Sequence, residues 1–185
     1  DNQLSQTATD VDVAPYIPND TILASVPTLT FTPQGILLYN DTPFSGYTIS
    51  HYKNDKTETI TPYFNGLMQG VKKSYFMNGN RRYERPYHKG KKHGLHVGWY
   101  ETDSLNYEYN FVHGKSEGLH KTWYKSGQLY KEQNYRNGKE YGAQKVYRLD
   151  GKYRANYVVR ENGRRYGFQG IKRCDIVNTK DEKIK

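Results

Sequence analysis

The chain contains a single cysteine, Cys174, among 185 residues. No disulfide can close within it, and a zinc site of the usual multi-cysteine kind is excluded. No run of about 18 apolar residues occurs, so no hydrophobic helical span is written in the sequence. Core-forming residues are scarce. Leu, Ile, Val and Phe total 35, about 19% of the chain, against a net charge of +9, a combination typical of disordered proteins. Cations are missing from one region altogether. Residues 1–50 hold no Lys or Arg and five acids, whereas residues 51–185 carry all 28 cations and 14 acids, a balance of +14. No phosphate loop, nucleophile elbow or paired-acid motif is present.

What is abundant is tyrosine, with 19 residues, and glycine, with 17. Tyrosine buries a large ring while keeping a polar tip for water, so a thin sheet can be covered without much leucine. The glycines are evenly spaced. Gly46, Gly70, Gly94, Gly118 and Gly142 stand 24 apart, and Gly167 follows after 25. Gly66, Gly90, Gly114, Gly138 and Gly163 form a second column and Gly79, Gly127 and Gly151 a third, so 14 of the 17 glycines share one period. Aromatics follow the same ruler: Tyr63, Tyr87, Phe111 and Tyr135, then Tyr52, Phe76, Tyr100 and Tyr124, preceded by His51, Tyr75, Trp99, Trp123 and Tyr147. A period in this range marks a repeat architecture.

Each unit reads as a β-hairpin. In Gly118–Gly142, "LHKTWY" and "QLYKEQNYR" are strand-forming, "KSG" is a turn and "NGKEYG" leads into the next unit. The glycine columns are therefore expected to shape turns. The fold expected is all-β: a single-layer twisted antiparallel sheet of about five 24-residue hairpin repeats. Its units run approximately 46–70, 70–94, 94–118, 118–142 and 142–167, within a repeat domain over 31–174. Residues 39–46 look like a degenerate half-unit. The extra residue of the last unit, between Gly151 and Gly163, is expected as a bulge or a longer turn. Residues 1–30 are expected to be a flexible leader or tether, and 175–185 a charged tail.

With "SYFMNG" (74–79), "GWYETD" (98–103) and "TWYKSG" (122–127), and the second halves "YHKGKKHG" (87–94), "FVHGKSEG" (111–118) and "YRNGKEYG" (135–142), the chain resembles the MORN-repeat variant family of YwqK-type antitoxins. The resemblance covers roughly residues 35–170. It implies a twisted sheet of hairpins, and a role as an antitoxin or as a secreted or envelope-anchored interaction protein. Asp103 in place of the turn glycine, and Val159 in place of the aromatic, depart from the pattern.

Candidate functional residues are those the period does not explain. Lys72, Lys73, Arg81, Arg82, Arg85, Lys89, Lys91 and Lys92 fall within 21 residues against one acid, Glu84. Tyr75, Phe76, Tyr83 and Tyr87 interleave with them. Strand alternation would put Arg81, Tyr83, Arg85 and Tyr87 on one face, a surface suited to anionic headgroups or single-stranded nucleic acid. Six histidines, His51, His88, His93, His96, His113 and His120, raise the question of a metal. His96 and His120 occupy one column two strands apart, about 9–10 Å, too far to share an ion. His88, His93 and His96 flank one turn but lack a carboxylate. Cys174, just after Lys172 and Arg173, reads as a small residue closing the last strand. The chain is expected to bind no metal or cofactor and to catalyse nothing. It is read as a repeat module for a protein partner or an envelope surface, with a toxin-neutralising role as an alternative. Binding of an anionic lipid or of nucleic acid through the basic cluster is a further alternative, an anionic membrane being the more favoured of the two, and no small-molecule substrate is identified. The cation-free leader suggests a periplasmic, envelope or secreted location, with the cytoplasm as the alternative.

Overall fold

The computed structural model describes residues 15–170. It is all-β, and no helix occurs among the described residues. The chain starts with four short strands: β1 (Thr21–Leu23), β2 (Leu29–Phe31), β3 (Leu37–Tyr39) and β4 (Thr42–Pro43). The hairpins follow. The first is β5 (Gly46–His51) with β6 (Thr57–Phe64). In the next three units a two-residue strand leads each hairpin: β7 (Leu67–Met68), β8 (Gly70–Tyr75) and β9 (Arg81–His88); β10 (Lys91–Lys92), β11 (Gly94–Trp99) and β12 (Leu105–Val112); β13 (Lys115–Ser116), β14 (Gly118–Trp123) and β15 (Leu129–Arg136). The last strands among the described residues are β16 (Lys139–Tyr147), β17 (Tyr153–Val159) and β18 (Arg165–Phe168). One open sheet of 15 strands results, with the path β1-β5-β6-β8-β9-β11-β12-β14-β15-β16-β17-β18. A second sheet, β2-β3-β4, lies at its start.

The tight turns are those that asparagine–glycine pairs favour. Asn65 and Gly66 have φ of 47° and 74°, and Asn137 and Gly138 of 51° and 81°, the two positive values of a type I′ hairpin. Successive turns are stitched together. The amides of Gly66, Gly90, Gly114 and Gly138 donate to the carbonyls of Phe44, Met68, Lys92 and Ser116 at 2.7–2.9 Å. The glycines at 46, 70, 94 and 118 do not sit in turns as expected. Each opens a strand with positive φ, where the chain steps from the short leading strand into the long one.

Every hairpin carries a register shift at the same place in the repeat, at Ser50/His51, Ser74/Tyr75, Gly98/Trp99, Thr122/Trp123 and Val146/Tyr147. The extra residue of the last unit lengthens a turn. Where other units have a two-residue turn, Val159 pairs with Arg165 around a wider loop closed by Arg160 N–H donating to Arg164 O at 3.0 Å.

Two expectations are corrected at the start of the chain. Residues 1–30 are not a leader throughout. Thr21–Leu23 pairs in parallel with Tyr47–Ile49 along the first edge of the sheet, and Leu29–Phe31 belongs to the second sheet. Aromatic ladders also do not replace a core completely. Leu37, Phe44 and Tyr63 are buried together, with Ile22, Leu29, Tyr39 and Met68 packed against them. The half-unit at 39–46 thus caps the first hairpin, and the cap buries the aliphatic side chains that the repeats lack. The charged tail 175–185 and Cys174 lie outside the described residues.

Candidate functional site

Side chains in register share a face, so the sheet has two readable rows. On one face a row crosses from β5 to β17 through Thr48, Thr61, Lys72, Arg85, His96, Tyr109, His120, Gln133, Gln144 and Tyr157. On the other, a row runs through Val71, Pro86, Leu95, Asn110, Leu119, Asn134, Ala143 and Val158. We call them the histidine face and the aliphatic face.

His96 and His120 are 2% and 6% exposed. Nε2 of His96 donates to the Pro86 carbonyl at 2.9 Å, and Nε2 of His120 to the Asn110 carbonyl at 2.8 Å. Donors and acceptors both repeat at the 24-residue period. Gln144 continues the series, its Nε2 donating to the Asn134 carbonyl at 2.7 Å. A carbonyl can only accept, so each imidazole carries its proton on Nε2. Rings sandwich them: Phe111 lies 4.6 Å from His96, and Tyr135 and Tyr109 lie 4.5 and 4.9 Å from His120. Burial pushes His96 down to about 4, with Lys92 and Arg85 adding to the effect and the Pro86 carbonyl opposing it. Burial also lowers His120. Both are neutral structural donors near pH 7.

The basic cluster divides. Lys72 and Arg85 are register partners on the histidine face. The Arg85 guanidinium lies 3.9 Å over Tyr83 and donates to the Tyr107 hydroxyl through Nε at 3.0 Å and Nη2 at 2.7 Å. Gly98 makes room for that ring, since a Cβ there would clash with Tyr107. Tyr87 packs on His96, and the Lys92 ammonium sits 5.0 Å from the Phe111 ring centre. The others go elsewhere. Lys73 pairs with Glu84 on the aliphatic face. Arg82 lies 5.7 Å over Phe76. Lys89 occupies a tight turn with φ of 47°, its amide donating to Gln69 Oε1 at 2.8 Å, and Lys91 is exposed beside it. Arg81 corrects the expected alternation. The bulge pairs it with Tyr75 while Tyr83 pairs with Ser74, so Arg81 leaves the face of Tyr83 and Arg85. It lies 4.3 Å over Trp99, and 3.5 Å from Asp103.

The remaining histidines also regroup. His88 meets His93 at 5.7 Å and His93 meets His113 at 5.3 Å, while His96 belongs to the histidine-face row. Among the described residues no group of three or more His, Cys, Asp or Glu could hold a metal ion. The repeat aromatics have defined duties. The hydroxyls of Tyr52, Tyr100 and Tyr124 donate at 2.8–2.9 Å to the carbonyls of Tyr75, Trp123 and Tyr147 in the following unit. Gln144 escaped notice in the sequence because it is neither aromatic nor basic, yet its distance of 24 from His120 was the available signal. No protein-family model matches the chain, and no curated protein sequence matches it significantly.

Proposed function

We propose that this chain is a non-enzymatic repeat module that offers the aliphatic face of its sheet to a protein partner. One observation carries the reading. Val71, Leu95, Leu119 and Val158 are 40%, 48%, 40% and 44% exposed and stand in one register row, whereas His96, His120, Tyr107, Tyr109 and Tyr157 of the other face are engaged in internal hydrogen bonds. Flanking pairs of opposite charge, Lys73 with Glu84 and Lys121 with Glu132, suit a partner with an apolar ridge and charges of both signs. Extended repeat surfaces commonly bind in this manner. The resemblance to MORN-repeat variant proteins supports the same reading, and a toxin would be one such partner. The envelope or extracellular location belongs to this proposal too; fractionation of the native protein into soluble cytosol would remove it.

The test is a pull-down with the full chain, repeated with Leu95→Asp plus Leu119→Asp. A partner that binds the purified chain and is lost with the double variant, at unchanged melting temperature, is the expected result. Equal capture by both proteins would overturn the use of this face.

A second reading has its own observation. Lys91, Lys115, Lys139 and Arg164 recur at the repeat period and all are exposed, giving an edge with a cation about every 9–10 Å. Such an edge suits an anionic membrane. Binding to anionic vesicles should weaken with salt and with Lys91→Glu plus Lys115→Glu.

A further inference from the structure

A cavity of about 490 Å³ lies near the last hairpins, lined by Lys131, Gln133, Arg148, Arg154, Ala155 and Tyr157 among others. Its origin is a break in the repeat. The column Tyr83, Tyr107 continues as Lys131 and Ala155, so two rings that would fill this face are replaced by a flexible chain and a methyl group. The column Tyr52, Phe76, Tyr100, Tyr124 continues as Arg148. A ring-contact position changes in the same unit. Phe76 and Arg82 meet there at 5.7 Å in one hairpin, and Tyr124 and Tyr130 at 4.7 Å in another. In the last hairpin the equivalent residues are Arg148 and Arg154.

Three cations therefore line one hollow, and among the described residues no carboxylate lines it. Lys131 rests 4.9 Å from the Tyr130 ring centre; its neighbour in sequence, Glu132, accepts from the Tyr147 hydroxyl at 2.7 Å, and the acid nearest Arg148 and Arg154 in sequence, Asp150, accepts from the Lys152 amide of its own turn at 3.0 Å. A neighbouring hollow shows the contrast. There Arg136 and Arg165 are neutralised by Glu161 and Glu140, each at 2.8 Å. Arg148 and Arg154 are both exposed to solvent in this hollow, and an anion with two or more charges can take charge-assisted hydrogen bonds from both.

We propose that this hollow is a binding site for a small anion with two or more negative charges, of the phosphate-ester or polycarboxylate class. Arg148 and Arg154 hold its oxygens, and Gln133 and Tyr157 line the wall beside them. The site goes beyond the module reading and shares no residue with the aliphatic row, so either can fail alone.

The test is calorimetric titration of the full chain with pyrophosphate and with citrate, at low and at physiological salt. Saturable one-to-one binding is expected, weakening with salt. Arg148→Gln plus Arg154→Gln should reduce affinity about tenfold or more at unchanged melting temperature. The control, Arg136→Gln plus Arg165→Gln in the neighbouring hollow, where each of these guanidiniums is ion-paired, should leave affinity unchanged. Absence of saturable binding overturns the proposal, as does an equal loss in the control. Binding of a polyanion such as heparin or an oligonucleotide without binding of pyrophosphate or citrate also overturns it. Citrate alone or pyrophosphate alone would name the class of ligand.

Discussion

At the N-terminal end of the sheet, Leu37, at 2% exposure, packs with Phe44 and Tyr63, and Phe44 meets Tyr39 and Tyr63 at 6.1 and 6.4 Å. At the other end, β18 is exposed along its whole length, with Phe168 at 46% and Tyr166 at 42%, and cations take the places of rings. A repeat can propagate its own rungs, but its first and last units have no neighbour on one side. This chain closes one end with an aliphatic cap and gives the other a basic hollow. The difference teaches where a repeat with a nearly uniform middle concentrates its buried aliphatic side chains and where it departs from its own pattern.

The sharpest way to break that comparison is to cut each end by one side chain. Leu37→Ala should cost about 3 kcal/mol in urea unfolding, by lost burial and a residual cavity. Phe168→Ala at the far end should stay within about 0.5 kcal/mol. Similar losses at both ends would mean that the cap holds nothing special. Between the ends, Gly98→Ala should destabilise by about 2 kcal/mol, because a Cβ would drive into the Tyr107 ring, and Tyr107→Ala in the same chain should recover part of the loss. A thermal melt reads both.

The histidine rungs give a pH test. His96 holds a folded value of about 4, below the ordinary 6.5, so the unfolded chain takes up the proton first. Its contribution is complete above pH 6.5 and is lost as pH falls from 6.5 to 4. At pH 5 the loss should be ~1–2 kcal/mol. His96→Gln should keep the bond to Pro86, as Gln144 does to Asn134, and shrink this acid sensitivity. An unchanged pH profile in His96→Gln would contradict the rung. The smallest effect is a gain. Phe76 lacks the hydroxyl that Tyr52, Tyr100 and Tyr124 use, so Phe76→Tyr should add a bond to the Trp99 carbonyl and stabilise by about 0.5–1 kcal/mol. No rise in melting temperature would show that this unit is shaped differently.

The hairpins, their turns and the all-β architecture were legible because Asn65–Gly66 or Asn137–Gly138 sets a turn through its own backbone preference. The candidate site was legible only in part. Lys72, Arg85 and Tyr83 do converge, but Arg81 was assigned to their face by an alternation that the bulge at Ser74/Tyr75 interrupts. His93 was paired in expectation with His88 and His96, whereas His113 takes the place of His96. A column spacing says which rung a residue occupies but not on which side of a bulge it emerges.

By itself, then, the sequence determined the period, the hairpin count and the identity of each rung, since these follow from local turn chemistry repeated every 24 residues. Tertiary structure decided how eight neighbouring cations distribute over two faces, which strand covers the first edge, and where lost rings leave a hollow. Those outcomes depend on register between strands far apart in the chain. One bulged residue reverses the face of all that follow.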